Sequence, residues 1–352
     1  MLERCNRRRE GFEVLQRGLA LSVSAGDVGT AATMHVNLGV NRVYWGDAEA
    51  AVKATEAGLR LRSVADGLGG LAAGFDMTLG AMCRDAGHLG QALERLERSL
   101  ATFEADGNTL WVGNTQSHLA LLWLQLGQPA RAARLLGGGD EGLPPFVVAR
   151  RMAARGLLER ALGRTAGRHM DRALAVLAAG DRADVRLAIE LERCRELAPD
   201  EASHRAALVA AEAETLDLMG HAVAAHALTL FELCAQDRTA EAAVRWPAVS
   251  TAAMTLAPSG LDRPTLWLQL ACTADWLGDG AAASALREHE AGWTSRAAAS
   301  LPAALQASFV SRVQADRGRW LDRARLHARQ GARSPARAAG AVTSSRRTAR
   351  GR

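Results

Sequence analysis

The apolar residues of segment 75–106 recur with the spacing of two consecutive amphipathic helices. The pattern predicts a first helix over 75–86, a break at Gly87 and a second helix over 88–104. The apolar positions of the second helix are Leu89, Ala92, Leu93, Leu96, Leu100 and Phe103. This three-to-four-residue spacing places them on one face and leaves the charged residues on the other. A hairpin this short needs a neighbour to cover its apolar face.

The chain supplies neighbours of the same kind at a period of about 40 residues. The first two copies share four positions at a shift of 41, namely Leu38-Gly39 with Leu79-Gly80, Gly46 with Gly87, Ala51 with Ala92, and Leu59 with Leu100. A third copy repeats the pattern at Leu119-Ala120, Gly127 and Ala132. Glycine inside a helix is unfavourable, so Gly39 and Gly80 predict a close contact with a neighbouring helix. The repeat indicates an all-α protein built as an α-solenoid.

Breaks in the pattern divide the chain into four predicted segments. Residues 1–138 carry the N-terminal repeats, 139–200 form an irregular helical connector, 201–329 carry C-terminal helical repeats, and 330–352 form a disordered basic tail. We expect Pro247 to end or kink its helix, because proline lacks the N–H that a helix interior uses.

Two helix pairs are predicted in the C-terminal repeats. The first consists of helices over 201–218 and 221–235, and the last of helices over 302–310 and 312–329.

Charge is unevenly distributed along the chain. The formal net charge is +5, yet segment 330–352 holds six arginines and no acid, which leaves −1 for the rest. The five cysteines are scattered and form no CxxC pair, so we expect neither disulfides nor a cysteine zinc site. No run of 18 apolar residues occurs, so we expect a cytoplasmic protein that does not contact a membrane.

The sequence offers no recognisable catalytic motif. Its one lysine, Lys53, lies in a predicted helix and cannot complete a P-loop, and HExxH, GxSxG and GxGxxG are absent. We therefore predict no enzyme activity and no catalytic, cofactor-binding or metal-binding residues. Surface or capping roles are expected for His35, His88, His118, His221 and His226. The Glu/Arg stripes over 88–104 and 186–197 are interpreted as solvated faces.

The repeat resembles a known family. The residues that carry the likeness are Leu79-Gly80, Cys83, Gly87, Ala92, Leu96 and Ser99, which look like the tetratricopeptide signature. The period exceeds the usual ~34 residues and resembles that of the sensor region of bacterial STAND-type regulators, such as the maltose-activator-like proteins. The likeness covers about residues 10–330 and implies a right-handed superhelix. The helix-ending proline of standard repeats, the ATPase module and the DNA-binding domain are missing.

The resemblance also implies a concave groove that grips an extended protein or peptide partner. The first helix of each repeat lines such a groove. The matching polar residues are Thr33, Asn37, Arg84, Asp85, Asn114, His118 and Gln125. Amide and imidazole groups at these positions can hydrogen-bond a peptide backbone or a terminal carboxylate.

Two functional hypotheses follow. The first is a non-catalytic interaction or sensor scaffold, as the helical-repeat region of a bacterial signalling or transcriptional regulator. The second is a nucleic-acid-associated regulator that binds through the arginine-rich tail, with steep salt dependence. Deletion of 330–352 discriminates them, because only the second hypothesis requires the tail.

A further expectation concerns the N-terminal edge. The helix over 10–24 corresponds to the second helix of a repeat, without its first. Its apolar stripe consists of Phe12, Leu15, Leu19 and Val23. Solenoid ends need a polar cap. We therefore expect this edge to expose apolar surface that favours binding of a partner or self-association.

Overall fold

The computed structural model describes residues 8–64, 69–177, 182–257 and 265–331. These residues form sixteen α-helices and contain no strand, which confirms the all-α prediction. No described helix is both long enough and apolar enough to cross a membrane.

The helices are numbered in chain order. The first eight are α1 (Arg8–Ser24), α2 (Val28–Tyr44), α3 (Ala48–Val64), α4 (Gly69–Ala86), α5 (Leu89–Ala105), α6 (Thr109–Gln125), α7 (Pro129–Leu136) and α8 (Pro145–Ala161). The second eight are α9 (Gly167–Val176), α10 (Ala183–Cys194), α11 (Pro199–Thr215), α12 (Met219–Ala235), α13 (Thr239–Thr255), α14 (Thr265–Leu277), α15 (Gly280–Ala299) and α16 (Ala303–Gly331).

The three predicted hairpins are the pairs α2/α3, α4/α5 and α6/α7, and each turns at a glycine. Gly46, Gly87 and Gly127 have φ values of +79°, +89° and +70°, a region that side chains rarely adopt. The apolar face of α5 is buried, with Leu89 and Leu96 at 0% exposure. The turns therefore depend on a backbone conformation that glycine adopts readily. The hairpins are stabilised by burial of their apolar faces.

The mid-helix glycines lie where the two helices of a hairpin touch. A Cβ added at Gly39 would lie 2.9 Å from the carbonyl oxygen of Ala51 on α3. A Cβ added at Gly80 would lie 2.7 Å from Cγ of Leu96 on α5. Both distances are too short for any side chain. The glycines therefore allow the close approach of α2 to α3 and of α4 to α5.

Helices α13 to α16 pack against the turn edge of the first three hairpins. Four hydrogen bonds between described residues join the two parts. They are Ala257 N to Gly46 O at 2.7 Å, Gly90 N to Ser300 Oγ at 3.2 Å, Ser308 Oγ to Leu126 O at 2.8 Å, and Gln128 Nε2 to Ser308 Oγ at 3.0 Å. One buried apolar cluster extends from Ala51 to Trp320 and includes residues of all three predicted helical segments. Whether these segments are separate domains stays a prediction, and residues 332–352 of the predicted tail lie outside the described residues.

The N-terminal helix packs on α2 but keeps apolar side chains in solvent. Phe12 contacts Trp45, with the ring centroids 4.6 Å apart. Val14, Leu21 and Val23 are 48%, 69% and 62% exposed. The predicted stripe is thus partly covered, and self-association through this edge stays a prediction.

Two predicted helix ends are not found. Pro247 does not end its helix, because Trp246 and Val249 are buried on either side of it and hold α13 together while one hydrogen bond is lost. A kink at Pro247 stays a prediction. Helix α16 is continuous across residue 311, where the sequence has neither glycine nor proline. Its buried residues Phe309 and Val313 keep the helical spacing across that position.

A smaller difference concerns the hairpin α11/α12. Helix α11 ends at Thr215 and α12 begins at Met219, so the turn lies before Met219 and not at Met219-Gly220. Asp217 makes this turn with φ +52°.

The cysteines that the structure describes are free and buried. They are Cys83, Cys194, Cys234 and Cys272. Burial raises the pKa of the Cys83, Cys194 and Cys234 thiols to about 12. These thiols are therefore protonated at neutral pH and act as small apolar side chains.

The helix contact at Gly80 gives a stability prediction. We expect Gly80→Leu to lower the free energy of unfolding by about 1–3 kcal/mol, because Leu96 leaves no room for a side chain. Gly74→Leu on the same helix is the matched control, since a Cβ there meets no atom within 4 Å. Urea unfolding measures the free energy of unfolding of each variant. Equal values for Gly80→Leu and Gly74→Leu would contradict a close helix contact at Gly80.

Glu232 gives a prediction about pH. This α12 carboxylate is fully buried and lies 2.6 Å from Nη2 of Arg323 on α16. Burial outweighs the attraction of Arg323 and raises the pKa of Glu232 from 4.5 to about 6. The folded state therefore holds this proton to higher pH than the unfolded chain does. The resulting stabilisation is full below about pH 4.5 and is lost as pH rises through about 6.

The size of this contribution is about 2 kcal/mol, from 1.36 kcal/mol per unit of pKa difference. The variant Glu232→Gln cannot titrate and should lack this contribution. The unfolding free energies of the wild type and of Glu232→Gln are compared at pH 4.5 and at pH 7.5. A difference between the two proteins that is the same at both pH values would refute the raised pKa of Glu232.

Candidate ligand-binding cavity

A cavity of about 910 Å³ lies among the first helices of the hairpins and the helices that follow them. Its walls come from α1, α2, α4, α6, α8, α10 and α11. The polar lining consists of Arg8, Asn37, Tyr44, Thr78, Asp85, Asn114, His118, Arg150, Arg182, Asp184, Arg186 and Glu212. The apolar lining consists of Val40, Val43, Met77, Ala81, Met82, Trp111, Phe146, Ala183 and Leu216.

The repeat itself places side chains in this cavity. Asn37, Thr78 and His118 stand 41 and 40 residues apart, which are the shifts between successive hairpins. All three line the cavity, so α2, α4 and α6 turn the same face toward it. The first helix of each hairpin thus contributes one polar residue from an equivalent position.

The structure brings together four of the seven predicted groove residues. Asn37, Asp85, Asn114 and His118 all line the cavity. The space is bounded on further sides by residues of α8, α10 and α11, in addition to the first helices. Binding of a peptide there stays a prediction.

The other three predicted residues lie elsewhere. Thr33 is exposed, and its hydroxyl donates to Gly29 O of its own helix at 3.1 Å. Arg84 is buried behind the lining and forms an ion pair with Asp85 at 3.1 Å. Gln125 is buried at the end of α6 and does not line the cavity. Spacing alone could not separate these positions, because small phase differences move a side chain off the shared face.

Arg150 on α8 occupies the centre of the polar lining. It is 7% exposed, and its Nη1 donates to Asn114 Oδ1 at 2.8 Å and to His118 Nε2 at 3.0 Å. Burial, and then repulsion by Arg182, lower the pKa of Arg150 to about 10. The guanidinium therefore stays charged at neutral pH while having little contact with solvent.

His118 is neutral for the same reasons. Burial, then the charges of Arg150 and Arg84, hold the pKa of His118 well below its usual range. Because arginine can only donate, Nε2 of His118 is the acceptor and Nδ1 carries the proton. His118 is half-buried in the cavity wall and hydrogen-bonded to Arg150, so it is not a free surface side chain. The predicted surface role of His221 is wrong, because that residue is buried. The helices that cover them come from distant parts of the chain.

Arg182 and Asp184 form a second charged group on the cavity wall. Two hydrogen bonds of 2.9 and 2.7 Å join the guanidinium to the carboxylate. Burial opposes ionisation of Asp184, but Arg182 and Arg150 outweigh it and hold the pKa of that carboxyl well below its usual range. The Arg182 guanidinium lies 4.9 Å from the centre of the Phe146 ring, and its backbone has φ +42°. Such a backbone is strained for a side-chain-bearing residue.

The opposite end of the lining is also occupied by arginines. Arg8 stacks on the Tyr44 ring at 4.3 Å, and its Nε donates to Leu216 O at 2.9 Å. Arg186 pairs with Glu190 at 2.7 Å and also with Glu212. In total four arginines and three carboxylates line the cavity, which leaves one positive charge in excess.

The stripe over 88–104 is largely solvated as predicted, with Glu94, Glu97 and Arg98 exposed, but two of its arginines also bind another helix, and the stripe over 186–197 is mostly engaged with other helices. Arg95 and Arg98 of α5 bind the buried Asp76 of α4 at 2.8 and 2.9 Å. Glu192 of α10 is 1% exposed and pairs with Arg160 of α8 at 2.6 Å. These partners are distant in sequence, so the local pattern could not identify them.

Sequence reasoning missed eight polar residues of the lining, among them Arg150, Arg182 and Asp184. One signal pointed to the first. Arg150 and Arg151 stand side by side in the largely apolar stretch FVVARRMAARGLL, and a helix that is buried on most sides leaves no solvated place for both. Arg182 and Asp184 carry no such signal.

Comparisons with known protein families and with curated proteins find no match to this chain.

The state of His118 can be tested directly. We expect its imidazole to stay neutral, with the proton on Nδ1, across pH 5.5–8, because both burial and Arg150 oppose its charge. Nitrogen-15 NMR of the histidine side chains reports both charge and tautomer. Titration near pH ~6.5, the ordinary value, would contradict this arrangement, and Arg150→Gln should raise the pKa.

Proposed function

We propose that this protein is a non-catalytic sensor scaffold that binds a ligand in its central cavity. The helical hairpins would form a tetratricopeptide-like solenoid, as in the sensor regions of bacterial signalling regulators, and the protein would work in the cytoplasm. The observation that carries the proposal is the cavity of about 910 Å³ with convergent polar groups from successive hairpins.

The repeat assignment is supported by equivalent positions in successive hairpins. Asn37, Thr78 and His118 line one cavity at the repeat spacing. Gly39 and Gly80 also make the same kind of close helix contact in their two hairpins. A solenoid that binds a ligand on its inner face is expected to repeat its packing residues and its cavity residues with the same period.

The size and the lining of the cavity favour a compact ligand. Cavities of roughly 300–1,000 Å³ bind small molecules, with mostly apolar walls and a few fixed polar groups. The polar groups here are amides, arginines and their carboxylate partners, which suit binding and orientation. A ligand would touch both the hairpin helices and α10/α11. Its binding free energy would therefore stabilise the arrangement in which these helices pack around the cavity. This coupling is the physical basis of a sensor.

A second function rests on a separate observation, the six arginines of segment 330–352. Binding of nucleic acid through this tail would fall steeply with salt, because each phosphate contact releases a counterion. Loss of DNA affinity on deletion of 330–352 would support it, whereas unchanged affinity would remove it.

A cavity-filling variant tests the main proposal. We expect Ala81→Trp to occupy the cavity, because Ala81 lines it, and Ala101→Trp on the exposed face of α5 is the matched control. Each protein is incubated with a cell extract, washed, and its bound small molecules and peptides are identified by mass spectrometry. Wild type and Ala101→Trp should retain the same species and Ala81→Trp should lose them. Equal retention by all three proteins would refute the proposal, as would no retention by any.

A further inference from the structure

Arg150 is a buried cation without a carboxylate partner among the described residues. Its hydrogen bonds there are the two from Nη1, and its guanidinium carbon lies over the Phe146 ring, 5.9 Å from the ring centroid. A guanidinium has five N–H donors. Both donors of Nη1 are used, so those of Nε and Nη2 meet no acceptor from the described chain.

The neighbouring charges do not compensate for this. Asp184 is engaged by two hydrogen bonds from Arg182, and Asp85 forms an ion pair with Arg84. The net effect of the nearby arginines and of burial is to disfavour the charged form of Arg150. Buried charges in proteins are usually paired, because an unpaired one loses its hydration without replacement. Arg150 lines the cavity, and its Nε and Nη2 are not among the fully buried atoms, so both are available to an acceptor on a ligand bound there.

We propose that the cavity binds an organic monocarboxylate and that its carboxylate accepts two hydrogen bonds from Nε and Nη2 of Arg150. This inference rests on the proposed ligand-binding function and specifies its chemistry. The Nε–Nη2 edge of a guanidinium matches the two oxygens of a carboxylate, and such bidentate pairs are stronger than single neutral hydrogen bonds.

The charge of the lining favours a carboxylate over a phosphate. Four arginines and three carboxylates leave a single excess positive charge, which one carboxylate neutralises. A phosphate monoester, which carries about −1.5 to −2 charges at pH 7, would exceed it. His118, being neutral, adds no positive charge to accommodate the difference.

The remainder of the cavity defines the rest of the ligand. Val40, Met77, Ala81 and Met82 form an apolar wall, and Trp111 offers an aromatic face. Burying an apolar or aromatic body against such a wall contributes roughly 25 cal/mol per Å². We therefore expect an acid with an uncharged, largely apolar body. A second charged group would meet arginines and carboxylates that are already paired.

Matched acids and amides test this proposal. Indole-3-acetate, 3-phenylpropanoate and octanoate are titrated calorimetrically beside their neutral amides, which keep the body and remove the charge. We expect at least one acid to bind the wild type ten-fold or more tightly than its amide. Arg150→Gln should abolish that preference, and Arg150→Lys, which keeps the charge but loses the fork, should reduce it. The matched control is Arg134→Gln, an exposed arginine on α7, which should leave it unchanged.

The outcomes separate this inference from the proposed function. Acids and amides that bind equally, with binding lost in Ala81→Trp, would overturn the carboxylate and leave the cavity function standing. A preference that survives in a folded Arg150→Gln, judged by circular dichroism, would also overturn it. If no acid of the series binds the wild type, the monocarboxylate is refuted. The extract experiment with Ala81→Trp then decides separately whether the cavity binds anything.

Discussion

The close contact between the two helices of a hairpin is the constraint on which the rest of the structure depends. At Gly39 and Gly80 the absence of a side chain lets the helices approach until a Cβ would touch the partner's backbone or leucine. This spacing fixes the rotation of α2 and α4 about their axes. The same rotation turns Asn37 and Thr78 toward the cavity, so the packing residues of the repeat also determine what the cavity contains.

A second level of organisation comes from contacts between distant parts of the chain. Helices α13 to α16 pack on the hairpin turns, while α8, α10 and α11 contribute walls to the cavity. The later segments supply five of the seven charged lining residues, namely Arg150, Arg182, Asp184, Arg186 and Glu212. The hairpins supply mainly amides and small polar groups, with Asp85 as their one charged residue in the lining. A ligand that touches both is therefore sensitive to how the two parts are arranged.

The sequence was informative where the determinants are local. The hairpins, their glycine turns and the contact at Gly80 all follow from spacing and from the cost of glycine in a helix. The continuity of α16 and the passage of α13 through Pro247 were missed, because tertiary burial holds those helices together. The site shows the same division. Asn37 and His118 follow from the repeat, whereas the neutral state of His118 depends in part on Arg150, which stands 32 residues away on another helix.

Binding of an anionic group at Arg150 inside the cavity can be seen most directly in a crystal structure with a brominated acid. With 5-bromoindole-3-acetate we expect an anomalous bromine peak against the apolar wall near Ala81. The carboxylate should lie within hydrogen-bond distance of Nε and Nη2 of Arg150. A bromine peak found only on the outer surface would contradict it. So would a peak in the cavity with the carboxylate directed away from Arg150.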